Sequence, residues 1–141
     1  MEQPVSTQPP ATGAFQGRHV LGEIYGVDPG LLNDEERLCA LLREALTEAK
    51  ATVLDVRSHH FAPQGVTVMA LLAESHASCH TYPEYGCAYV DFFTCGTAAD
   101  PAEALHNLSK ALRPTRYHVV VLDRGVPALP IPLTASGKAH P

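Results

Sequence analysis

The sequence predicts an α+β fold, a two-layer sandwich in which an antiparallel sheet carries two helices on one face. Three observations lead there. Strand-like and helical segments follow one another as β-α-β-β-β-α-β. Only two segments carry helical periodicity, too few to cover both faces of a sheet. Proline marks the limits of the folded unit: of twelve prolines, three fall in residues 1–17 and four in residues 127–141. Residues 1–17 therefore read as a flexible leader, 18–125 as one domain, and 126–141 as a Pro-rich tail, unstructured or polyproline-like.

Residues 18–25 (RHVLGEIY) form a short strand candidate. Asn33 followed by Glu36 makes a capping box, and Leu38, Leu41, Leu42, Ala45, Leu46 and Ala49 recur at helical spacing, which predicts a helix over 34–50. Residues 52–60 and 66–73 read as strands, the second almost wholly apolar (VTVMALLA), and residues 87–94 (CAYVDFFT) as another. At Asp100-Pro101-Ala102-Glu103 the Asp caps a helix, the Pro takes its first position and the Glu answers three residues on; this helix ends near Arg113-Pro114. Residues 116–123 (RYHVVVLD) close the domain as a strand. The second sheet face needs a cover, and a second copy of the chain supplies one, giving an αββα sandwich in a homodimer.

Composition narrows the function classes. A chain of 141 residues allows one domain, and 45% apolar against 18% charged residues suits a packed core. No run of 18 apolar residues predicts a membrane span, and the N-terminus lacks the basic start and apolar stretch of a secretory signal, so a cytoplasmic setting is expected. A net charge of −5, no basic run, no Trp and 6% aromatics argue against nucleic acid and against membrane surfaces. Cys39, Cys79, Cys87 and Cys95 form no C-x-x-C pair, so no structural metal is expected and the thiols are free; Cys79 and Cys87 read as structural.

Residues 74–86, ESHASCHTYPEYG, follow an apolar strand yet concentrate Glu74, Ser75, His76, Ser78, His80, Thr81 and Glu84. They read as a long reactive loop on a rigid sheet, with a plain solvated loop as the other reading. Zinc held by His76, His80 and a Cys would want those histidines on a helix, which Pro83 and the preceding strand oppose. No G-x-S-x-G elbow surrounds the serine. A Cys95 nucleophile with a His80 base stays open. Glu23, a carboxylate within a strand, is a candidate for a site or an interface.

Taken together, FAPQGV at 61–66, LLAESHASCHTYPEYG at 71–86 and VDFFTCG at 90–96, with GRHVLGEIYG at 17–26 and DPAEAL at 100–105, resemble the prokaryotic S-adenosylmethionine decarboxylase proenzymes. The resemblance covers residues 17–125. It implies a self-processing pyruvoyl enzyme. Cleavage falls between Glu74 and Ser75, leaving a β chain 1–74 and an α chain 75–141 that begins with a covalent pyruvoyl group made from Ser75. That ketone forms a Schiff base with the substrate amine and takes up the electrons freed by CO₂ loss. Pyridoxal phosphate, the usual alternative sink, fits poorly, because the lysines, Lys50, Lys110 and Lys138, all lie away from the reactive segment.

The resemblance further assigns His80 to processing, Thr67 to assisting it, and Cys95 to protonating the substrate carbon. Phe61 and Tyr82 match aromatics that sandwich adenine. Glu84 matches the carboxylate that holds the ribose, and position 77 lies near the adenine edge. Family members commonly carry Leu and Ile where this chain has the smaller Ala77 and Cys79, which bears on substrate choice. The implied product is the aminopropyl donor for polyamine (spermidine) synthesis. The competing readings are a pyruvoyl-dependent decarboxylase of arginine or ornithine, and a partner subunit that has lost activity.

Overall fold

The computed structural model describes residues 15–125, so most of the leader and the whole tail lie outside the described residues. In chain order the elements are β1 (Gly17–Tyr25), α1 (Pro29–Leu32), α2 (Glu35–Glu48), β2 (Val53–His60), β3 (Val66–Leu72), β4 (Ser75–Tyr82), a 3-10 turn (Pro83–Tyr85), β5 (Cys87–Cys95), α3 (Pro101–Leu112) and β6 (Arg116–Arg124). The six strands form one sheet in the order β2-β3-β4-β5-β1-β6, every neighbouring pair antiparallel.

Two expectations are corrected. Residues 75–82 are a strand, not a loop, joined to β3 by the two-residue turn Ala73-Glu74. Their alternation is hidden because one face carries His76, Ser78 and His80, while the buried face carries only the small Ala77, Cys79 and Thr81. The cap of α2 is also one residue later than expected. Asp34 accepts from the Arg37 amide at 3.0 Å, whereas Asn33 ends the short α1. The Asn33 Oδ1 accepts from the Gly65 amide at 2.9 Å and lies 2.8 Å from His60 Nε2, tying α1 to the β2–β3 connection.

Both long helices cover one face. The buried stripe of α2 is Leu38, Leu41, Leu42, Ala45 and Leu46; that of α3 includes Ala104, Leu105, Leu108 and Leu112. α3 begins as predicted, with Asp100 Oδ1 accepting from the Ala102 and Glu103 amides at 3.0 and 3.1 Å. These stripes meet Val20, Ile24, Val68, Ala70, Ala88, Val90 and Phe92 of the sheet. Gly22 lets α3 come close to β1: a Cβ there would lie 2.7 Å from Leu105 Cδ1.

Among the described residues nothing covers the other face. Leu21, Met69, Leu71, Tyr89, Val120 and Leu122 are exposed on it. β6 is an edge strand with all nine residues exposed. Phe92, central in the sheet and wholly buried, anchors the covered side. Phe92→Ala should destabilise the domain by about 3–5 kcal/mol, read from urea unfolding midpoints at unchanged slope.

Candidate active site

The first cluster is built on the β3–β4 turn. Glu74 is buried, and its carboxylate accepts from the Thr52 amide at 2.8 Å and from the Thr52 hydroxyl at 2.9 Å. The Ala73 amide donates to Thr52 O at 2.9 Å, and the Cys95 amide to Glu74 O at 2.9 Å. The Glu74–Ser75 peptide is thus held on both sides. Ser75, which follows it, has a φ of 155°, a region that residues with a Cβ seldom enter. Such strain costs about 1–3 kcal/mol and persists only where the surroundings enforce it. Ser75 and Cys95 are both partly exposed, and Ser75 pairs with Thr94, the residue before Cys95.

A second cluster occupies the far end of the same strand. Thr67 Oγ1 lies 3.0 Å from His80 Nδ1. The Phe61 ring, half exposed, stands edge-on to His59 at 4.5 Å, and the Tyr82 ring is 5.0 Å from that of Tyr89. Glu84 sits exposed in the 3-10 turn. The structure therefore divides the residues singled out in the sequence into two groups. Ser75 and His80 are five residues apart on one strand, roughly 16 Å at a rise of about 3.3 Å per residue.

Between the clusters lies a network that reading the sequence missed. His19 Nε2 and His76 Nε2 both lie on Asp91 Oδ2, at 2.8 and 3.2 Å, and Ser78 Oγ donates to Asp91 Oδ1. These are the residues facing the open side on β1, β4 and β5, so strand alternation was the available signal once 75–82 was known to be a strand. The ligating atoms of His19, His76 and Asp91 lie within 4.8 Å of one another, a different histidine grouping from the His76–His80 pair considered in the sequence. Partial burial opposes ionisation of Asp91, but the hydrogen bonds from Ser78 and His19 and the two nearby imidazoles outweigh it and hold the carboxyl below its usual range.

Three further placements bear on substrate. Ala77 and Cys79, expected beside adenine and as an altered wall, point into the helix-covered core, with 0% and 1% exposure. Their small size is a matter of packing under the helices, since their parity on β4 is opposite to that of His76 and His80. Burial pushes the Cys79 thiol up to about 12, as suits a structural cysteine. Glu23 lies on the open face, where its carboxylate accepts from Tyr25 Oη at 2.9 Å. A cleft of about 790 Å³ between the β1–β5–β6 edge and the start of α3 is lined by residues such as Arg18, Thr94, Asp100 and Asp123, and by none of Phe61, Tyr82 and Glu84.

A family model described as S-adenosylmethionine decarboxylase matches residues 18–125, the whole of this domain. The chain belongs to the S-adenosylmethionine decarboxylase family. Among its curated relatives are an S-adenosylmethionine decarboxylase proenzyme of Pyrobaculum islandicum, 44% identical over 111 residues (78% of this chain, 89% of that one), and one of Brevibacillus brevis, 45% identical over 115 residues (82% and 86%). An arginine decarboxylase proenzyme of Ignicoccus hospitalis is 46% identical over 121 residues (84% of each). The crystal structure of the adenosylmethionine decarboxylase from Aquifex aeolicus superimposes with a TM-score of 0.75 at 36% identity, covering 80% of this chain and 93% of that one. The α+β architecture is thus that of an S-adenosylmethionine decarboxylase. Among the described residues no helix is long and apolar enough to cross a membrane.

The Asp91 network has a measurable signature. A carboxyl whose folded pKa is depressed contributes stability that is complete above the unfolded value of about 3.9 and is lost as pH falls through the folded value. Asp91→Asn should lower stability at neutral pH by about 1–3 kcal/mol. It should also flatten the acid limb of stability against pH, as followed by urea titrations at a series of pH values.

Proposed function

We propose that this chain cuts itself between Glu74 and Ser75 and then decarboxylates S-adenosylmethionine in the cytoplasm, yielding the aminopropyl donor for polyamine synthesis. One observation carries the reading: the Glu74–Ser75 peptide sits in a two-residue turn, its carbonyl bonded at 2.9 Å by the Cys95 amide, directly before a serine with φ 155°. An amide aimed at a carbonyl that is about to become tetrahedral stabilises the developing oxyanion.

The Ser75 hydroxyl attacks the Glu74 carbonyl carbon. The C–N bond breaks, leaving an ester on Oγ and a free amine. Removal of the Ser75 α-proton, the task of His80, then expels the Glu74 carboxylate. The dehydroalanine that remains takes up water and releases ammonia. Ser75 suits the resulting pyruvoyl group, being partly exposed at a strand end with Cys95 beside it. When formed, that group supplies the electron sink for loss of CO₂. Cys95 gives a proton to the substrate carbon, Phe61 and Tyr82 receive the adenine between their faces, and Glu84 accepts from the ribose hydroxyls. Among the described residues all four thiols are free, which suits a reducing compartment.

The separation of roughly 16 Å along β4 supports a homodimer in which His80, Thr67 and the aromatics of one copy complete the Ser75–Cys95 end of the other. The exposed apolar open face supplies a surface on which two sheets can pack as an αββα sandwich. The arginine decarboxylase relative keeps arginine, and with it ornithine, as the second reading. The burial of Ala77 and Cys79 in the core favours S-adenosylmethionine over it.

Three measurements test this. Purified protein should run as two fragments, with the α chain blocked to Edman sequencing, and Ser75→Ala should stay whole; a wild-type chain intact after long incubation at neutral pH refutes cleavage. CO₂ release should be seen with S-adenosylmethionine and not with arginine or ornithine, and Cys95→Ala should still cut itself yet lose about 10²-fold or more in turnover. Co-expressed Ser75→Ala and His80→Ala chains should restore cutting in mixed dimers, although neither cuts alone; failure to complement would place Ser75 and His80 in one copy.

A further inference from the structure

Cutting begins by taking a proton from the Ser75 hydroxyl, and the residues assigned so far leave that proton without an acceptor in the same copy. His80 lies about 16 Å along the strand. His76 is adjacent: its Nδ1 is 3.4 Å from Ser75 Oγ. Its Nε2 faces Asp91 Oδ2 at 3.2 Å, so the ring carries its hydrogen there and presents a bare Nδ1 to the serine.

Asp91 is itself held. Ser78 donates to Oδ1 and His19 Nε2 donates to Oδ2 at 2.8 Å. His19 is fixed in that tautomer because Arg124 Nη1 donates to its Nδ1 at 3.4 Å. From the edge strand inward, Arg124, His19, Asp91, His76 and Ser75 form one hydrogen-bonded line that ends at the scissile serine. A nucleophile, a base within reach and a group orienting that base form the arrangement that activates a hydroxyl.

We propose that His76, oriented by Asp91, is the general base of the acyl shift at Ser75, a catalytic role distinct from that of His80 in the later elimination. This role rests on the proposed self-cleavage at Glu74–Ser75, and in it one proton moves twice. His76 Nδ1 takes the hydroxyl proton as Oγ bonds to the Glu74 carbonyl carbon. It returns the proton to the Ser75 nitrogen as the C–N bond breaks. No co-reactant is consumed. Asp91 keeps its charge throughout and stabilises the imidazolium formed between the two transfers. The first step then needs one copy of the chain, and the elimination needs the second.

The test is the time course of cutting of the full-length chain, followed by gel and intact mass. His76→Ala should slow cutting by about 10²-fold or more. Added imidazole should restore part of the rate, which a purely structural role would not allow. Asp91→Asn, with the ring left in place, should slow it less. Hydroxylamine should release fragments from His80→Ala, where the ester accumulates, and none from His76→Ala, where it never forms.

The groups facing His76 are Asp91 of β5 and His19 of β1, the latter backed by Arg124 of β6, while β3 presents only Leu71. Dialysis against EDTA should leave the wild-type rate unchanged; loss of cutting on chelation would make the cluster a metal site and overturn the assignment. So would His76→Ala cutting at the wild-type rate, or hydroxylamine-labile ester in that variant. A wild-type chain that never cuts would instead defeat the reading of cleavage itself.

Discussion

The buried Glu74 carboxylate on Thr52 is the contact on which the site depends. A carboxylate removed from water needs donors, and the amide and hydroxyl of Thr52 supply two. Thr52 immediately precedes β2, so the bond pins the β3–β4 turn to the start of a strand on the far side of β3. With the side chain held on one side and the carbonyl held by the Cys95 amide on the other, the peptide before Ser75 has little freedom to relax. That clamp explains how Ser75 keeps a φ that its Cβ disfavours. The strain resides in the residue whose hydroxyl would attack its own backbone in the proposed cleavage.

Much of the fold was legible because the usual signals were strong. The leucine periodicity of α2 and the Asp100-Pro101 start of α3 each have one dominant cause, and both elements lie where those causes put them. β4 was hidden for a physical reason. Its open face holds His76, Ser78 and His80, and its covered face holds residues too small to register as an apolar stripe. A strand that is polar on one side and packed with small residues on the other resembles a polar loop in composition. Missing it also hid the relation among its residues, since only a strand sets His76 beside Asp91 and moves His80 to the other end.

The same parity reinterprets the departures at Ala77 and Cys79. As loop residues they bore on the substrate; as inward-facing residues of β4 they are buried in the core on the helix-covered side. Family motifs thus single out residues, while strand geometry decides which of them lie together. Motif matching treats ESHASCHTYPEYG as one site, and the structure draws it out along a strand of eight residues with candidate site residues at both ends.

The polar residues of the open face are also compatible with that face being covered. Charge taken out of water by a second sheet is costly unless its hydrogen bonds are already made. Asp91 has donors on both oxygens, His19 is bonded at both ring nitrogens, and Thr67 pairs with His80. Around them stand Leu21, Met69, Leu71, Val120 and Leu122, which are exposed and gain from burial. The face therefore meets the two requirements of a packed interface, satisfied polar groups and free apolar surface. Covering it would also exclude water from the Asp91 line, where each of its hydrogen bonds becomes stronger as the local dielectric falls. In the proposed dimer, assembly and activation of Ser75 would be linked through one surface, because the exposed apolar residues border the polar line that ends at the serine.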